Sequence, residues 1–129
     1  EANYLNGIYT ITNLSSDVDR PNQIPVTVTL PSYFRGRGSN VEIILNLRSF
    51  YTGVWFNVWS SGWTRWYPQS FEIVLEVEST NFNLTNPTIT INAYQRSRRV
   101  RFYDNGGGRE GDAENIYRDI DFDVLVIGK

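Results

Sequence analysis

Cysteine, histidine and methionine are all absent from this 129-residue sequence, and lysine occurs once. Without cysteine there is no disulfide scaffold and no thiolate zinc site. Without histidine there is no Ser–His–Asp triad, no Cys–His pair and no imidazole general base. Long hydrophobic runs are missing too, and no charged-then-apolar signal segment opens the chain, so no membrane insertion is expected. A net charge of −2 and an isoelectric point near 5.1 leave no global basic field for nucleic acid or anionic lipid.

What is present is ordinary in amount and unusual in kind. Apolar residues make up 40% and charged residues 20%, the balance of a globular chain, and residues 1–129 are expected to form one domain with its own core. Aromatics reach 15%, and ten Gly, five Pro and thirteen Asn supply turn chemistry. Eleven of the twelve basic residues are Arg, whose planar fork suits interfaces and polar-ligand recognition. The chain starts at Glu1 and finishes on the apolar run 124–127, which reads as a processed product or a domain cut at its boundary.

Alternation of apolar and polar residues dominates and says β. It marks 7–13, with Tyr9 and Ile11 on one face, and 24–30, with Ile24, Val26, Val28 and Leu30 on one face. Strands are also expected at 41–50, 54–59 and 62–68. Farther on, 71–78 turns Phe71, Ile73, Leu75 and Val77 inward, and 87–95 does the same with Ile89, Ile91 and Ala93. A short strand around Val100 and Phe102 follows, and Ile120, Phe122, Val124 and Val126 line the last one. Residues 15–17, 20–22 and 34–40 read as loops, and 112–119 as the only candidate helical turn. About eight short strands with almost no helix predict an all-β, antiparallel two-layer β-sandwich, jelly-roll-like.

Several motifs dissolve on inspection. Gly106-Gly107-Gly108-Arg109-Glu110-Gly111 contains G-x-G-x-x-G, but no βαβ unit surrounds it, and Glu110, Asp112 and Glu114 would repel a phosphate. The same acidic stretch lacks EF-hand spacing, and Arg99, Arg101 and Arg118 stand ready to neutralise it, so no metal site is expected. No carboxylate pair is placed for glycoside hydrolysis, and no enzyme activity is expected. Arg96, Arg98, Arg99 and Arg101 interleave with Tyr94, Phe102 and Tyr103. That cluster suits cross-strand pairing, with Asp121 and Asp123 as partners for Arg99 and Arg101, or an oligomer interface, better than nucleic acid. Asn13-Leu14-Ser15 and Asn83-Leu84-Thr85 match the N-glycosylation pattern.

The most informative stretch is 54–68, V-W-F-N-V-W-S-S-G-W-T-R-W-Y-P, which holds all four tryptophans. If Val54, Phe56 and Val58 face a core, then Trp55 and Trp59 face away from it with Asn57 between them. Rings flanking an amide offer stacking surfaces for apolar sugar faces and donors for hydroxyls. Trp55, Asn57, Trp59, Trp63, Arg65 and Trp66 are therefore the candidate ligand-binding residues, with a covered core or a subunit interface as the competing roles.

The segments LNGIYTITN (5–13), PVTVTL (25–30) and the Trp-rich GVWFNVWSSGWTRWYP (53–68) resemble phage tail-fibre knob domains. The likeness covers about a third of the chain. It departs where such knobs carry a Gln and an aromatic–Arg pattern before the tryptophans, for here Asn46-Leu47-Arg48-Ser49-Phe50-Tyr51 stands instead. The resemblance implies a homotrimeric head on a virion surface, binding a cell-surface saccharide or protein receptor, with no catalytic residues and no cofactor. The alternatives are a structural capsid, fibre or appendage subunit, and a monomeric secreted lectin.

Overall fold

Alternating side chains give a strand one face to bury, and two such sheets close on each other here. The computed structural model describes residues 2–5, 7–19, 22–51, 67–105 and 108–128. Ten strands run in order among them: β1 (Ala2–Leu5), β2 (Ile8–Ser15), β3 (Asp17–Asp19), β4 (Asn22–Ile24), β5 (Val26–Thr29), β6 (Val41–Ser49), β7 (Tyr67–Asn81), β8 (Thr88–Asn105), β9 (Gly108–Arg118) and β10 (Asp121–Gly128). Two 3-10 turns, Ser32–Phe34 and Gly38–Asn40, separate β5 from β6, and no α-helix occurs among the described residues.

The first sheet has the order β1-β2-β10-β6, antiparallel throughout. The second is built around the long β8. One edge of β8 pairs with β7, and the other is shared end to end by β5, at Thr88–Ile91, and β9, from Gln95 onward. β3 and β4 pair only with each other. The expected two-layer antiparallel sandwich is what forms, and eight of its strands have four residues or more.

The core lies between the sheets. Ile11, Phe122, Val124 and Val126 come from the first, Val28, Ile89, Ile91 and Ala93 from the second, and Leu30, Phe34 and Ile120 close the ends. Each large aliphatic or aromatic side chain buried in this way contributes on the order of 1.5–3 kcal/mol. Phe34 reaches the core from the first 3-10 turn, so the 34–40 stretch is a packed corner rather than a plain loop. At Gly38 a Cβ would lie 2.8 Å from the Phe82 ring, so only glycine lets that corner close.

Four strand expectations need correction. Residues 112–118 of the expected helical turn are strand residues of β9. The strands expected at 87–95 and around Val100 are one continuous β8. Ile24 belongs to β4 and is exposed, out of line with Val26 and Val28. Phe71 and Val77 are exposed although Ile73 and Leu75 between them, on the same unbroken register with β8, pack on the core: only the middle of this run is covered. The strands expected at 54–59 and 62–68 fall on 52–66, outside the described residues, except that Tyr67 and Pro68 begin β7.

One bulge sets the surface of the first sheet. Phe122 pairs with Leu14 but Val124 pairs with Ile11, so β2 carries one extra residue opposite Asp123. Asn13 takes the left-handed conformation there, φ 59°, which Asn tolerates better than most residues. Past the bulge the inward side switches parity, from Tyr9 and Ile11 to Leu14 and the buried Ser16.

Candidate functional site

The predicted ligand residues Trp55, Asn57, Trp59, Trp63, Arg65 and Trp66 all lie in 52–66, outside the described residues. Their frame is described. The segment leaves β6 of the first sheet through Phe50 and Tyr51 and rejoins the second sheet at Tyr67, which pairs with Val100.

Its starting point is held by a buried amide. The inward face of β8 runs Ile89, Ile91, Ala93 and then Gln95 and Ser97, both fully buried. Tyr51 N–H donates to Gln95 Oε1 at 2.8 Å, and Gln95 Nε2 donates to the Tyr51 carbonyl at 2.8 Å and to Ser97 Oγ at 3.2 Å. The side-chain amide thus behaves like a peptide unit of a missing strand and satisfies both backbone groups of Tyr51. The Arg118 guanidinium stacks 3.7 Å from the centre of the Tyr51 ring, and Phe50 packs on Phe71 with ring centres 5.5 Å apart. Two strands from different sheets are joined by that aromatic contact at the root of the tryptophan segment.

The outer face of the second sheet holds the described candidate. A hollow of about 410 Å³ is lined by Ser70, Phe71 and Glu72 of β7, Arg96 and Arg98 of β8, and Asn115 of β9. The register explains the grouping: Ser70, Arg98 and Asn115 form one cross-strand row, and Glu72, Arg96 and Tyr117 the next. Glu72 and Arg96 form an ion pair. Tyr94 meets Tyr117 edge to face, ring centres 5.8 Å apart, and continues the same surface.

Cross-strand pairing is indeed what much of the arginine cluster does, but with other partners than expected. Arg99 pairs with Glu114, its register neighbour on β9, through Nε at 2.7 Å and through Nη2. Arg101 lies opposite Asp112 in the same ladder. Asp121 and Asp123 sit on the other sheet and are answered there. Asp121 accepts from Ser15 Oγ and from Ser49 Oγ at 2.8 Å. Asp123 accepts from Asn13 N–H at 3.1 Å, Asn46 Nδ2 at 3.1 Å and Arg48 Nη1 at 3.4 Å.

These contacts lower both pKa values. For Asp121 the Ser15 hydroxyl is the largest cause, followed by Ser49, with Arg48 adding its charge against a cost from burial. For Asp123 burial is the largest single influence and pushes upward, but Asn13, Asn46 and Arg48 together outweigh it.

Nothing among the described residues gathers three or more metal-ligating side chains. Gly108–Gly111 of the G-x-G-x-x-G string are strand residues of β9, which turns back along β8 rather than opening a helix. Of the two N-glycosylation patterns, Asn83 lies in an exposed turn and Asn13 at the exposed bulge. No helix among the described residues is long and apolar enough to cross a membrane. Sequence reasoning missed Gln95, Glu72, Asn115 and Ser70; of these only Gln95 carried a signal, an amide continuing an otherwise apolar face. Comparison with family models, with curated proteins and with solved structures finds no match to this chain.

Proposed function

We propose that this domain is a non-enzymatic recognition module that binds a host cell-surface ligand, a carbohydrate, in the manner of a fibre head at a virion surface or of another extracellular adhesin. The observation that carries the reading is the stem of segment 52–66. A stretch holding all four tryptophans of the chain links β6 to β7 in the sequence, and Tyr51, the residue just before it, is held by the buried Gln95. Ligand-binding residues are characteristically carried on a rigid scaffold such as this sandwich. Trp55, Trp59, Trp63 and Trp66 are assigned to stacking, and Asn57 and Arg65 to hydroxyl contacts.

A structural role in a capsid, fibre or appendage has one observation in its favour. The outer face of the first sheet pairs Ile127 with Ile8 and Leu125 with Ile44, and Ile8 and Ile44 are exposed. Such a patch suits a subunit contact, including that of a homotrimer.

The test combines a glycan panel with the mass in solution. Trp63→Ala and Trp66→Ala are expected to abolish binding while the far-UV spectrum of the fold persists; unchanged binding in both removes the site assignment. Light scattering separates a trimer of 14.9 kDa chains, roughly 45 kDa, from a monomeric lectin-like module. Lost assembly in the variants, with no glycan bound by the parent, favours the structural role.

A further inference from the structure

We propose that β6 pairs edge to edge with β6 of a second copy of this chain, antiparallel about a two-fold axis through Ile44, so that the two first sheets join into one. Among the described residues β6 is paired on one side only, with β10. It is the longer of the two ends of its sheet, nine residues against four in β1. A bare strand edge offers its row of N–H and C=O groups to any chain able to pair with it. Such edges are commonly guarded by Pro, Lys or a row of charges. β6 has no Pro and no Lys, and its two charges, Glu42 and Arg48, stand near its ends.

The register follows from symmetry. Directly opposed residues of an antiparallel pair share a face. A two-fold axis normal to the sheet therefore keeps inward side chains opposite inward ones only where a residue meets its own copy. β6 is in unbroken register with β10 from Val41 to Leu47, and the ladder shifts beyond it, at Arg48. The midpoint of that run is Ile44. An axis there sets Ile43 against Leu45 and Val41 against Leu47 on the inward side. On the outward side Ile44 meets its own copy, and Glu42 faces Asn46 to either side of it. No like charges are opposed, and Ile44 and Leu47, now 40% and 36% exposed, gain apolar neighbours. Leu125 lies beside Ile44, so the apolar strip of the outer face continues across the seam. The second sheet ends on β7, and the same construction centred on Val74 sets Glu72 against Glu76 twice. That repulsion makes β7 the poorer edge for a second copy.

The experiment measures the mass of the full chain by light scattering over a concentration series. Isologous edge pairing closes at two copies, so a mass of roughly 30 kDa is expected at the upper end, falling toward 14.9 kDa on dilution. Ile44→Lys, which sets two ammoniums on the axis, should weaken association at least about tenfold with the far-UV spectrum unchanged. Glu76→Lys, on β7, should leave association in place. The chain has no cysteine, so a single introduced thiol can bridge only to another copy. Ile44→Cys meets itself within disulfide reach, whereas the register sets Glu42→Cys four residues away from its own copy. The first should therefore oxidise to a dimer about tenfold faster than the second. A 14.9 kDa species at every concentration, a trimer of roughly 45 kDa, or equal oxidation of the two thiols overturns the pairing. The recognition reading is decided separately, by the glycan panel.

Discussion

The outer faces of the two sheets carry opposite charges on their central strands, and the two charges are used differently. On the first sheet Asp121 and Asp123 of β10 collect five hydrogen bonds from Ser15, Ser49, Asn13, Asn46 and Arg48 on the strands to either side. Those acids are consumed by the sheet: they stitch β2, β10 and β6 together across the bulge. On the second sheet Arg96 and Arg98 of β8 border a hollow instead, whose described lining includes Glu72. The acids gather several donors each from two flanking strands, whereas Arg96 is met by one exposed carboxylate, Glu72, at the edge of open space.

The largest blow to this contrast comes from beneath the arginine face. Gln95→Ala leaves the N–H and C=O of Tyr51 without the amide that pairs them, in a site closed to water on the β8 side. Each such group costs about 1–3 kcal/mol, so a loss of about 2–4 kcal/mol is expected in chemical denaturation. A loss under about 0.5 kcal/mol would show that the clamp is not what roots the tryptophan segment. Asn13→Val comes next, because a β-branched residue is strained at φ 59°. A cost of about 1–2 kcal/mol is expected, and Asn13→Gly should cost little.

The acidic row has its own signature in pH. Both carboxyls titrate below the ordinary value of 3.8, so the folded state binds fewer protons than the unfolded one near that pH. Their contribution is complete above about pH 4 and drains away as pH falls through the lowered folded values. Stability measured by urea melts should therefore fall steeply on acidification. The doubly substituted Asp121→Asn, Asp123→Asn protein should be less stable at neutral pH and show a flatter acid limb. Equal slopes in the two proteins would mean that other carboxylates carry the acid sensitivity.

The sequence shows where these faces come from only in part. Ile89, Ile91 and Ala93, and Phe122, Val124 and Val126, are legible because a buried face leaves a period of two. β9 is not, since among its described side chains, residues 113–118, only Ile116 is buried and the strand is held by its ladder to β8. Ladder hydrogen bonds use backbone groups that every residue has, so they leave no pattern to read. The same reason hides the hollow: Ser70, Arg98 and Asn115 meet only through strand register, which no local window contains. The tryptophan segment is the reverse case, conspicuous by composition and legible in the structure only through its two ends.

The smallest expected effect sharpens the comparison most. Arg96 and Glu72 form an ion pair whose side chains are both more than two-fifths exposed, and exposed pairs are worth little because water and salt screen them. A double-mutant cycle with Arg96→Gln and Glu72→Gln should give a coupling of about 0.2–1 kcal/mol that fades in high salt. Arg96→Gln alone should shift the melting free energy by no more than about 0.5 kcal/mol. A coupling as large as the loss from Gln95→Ala would place the arginine row alongside the aspartate row, as a tie between strands. A small one leaves the Arg96–Glu72 pair costing the fold little to keep and little to lose, unlike Asp121 and Asp123, whose hydrogen bonds tie β10 to both of its neighbours.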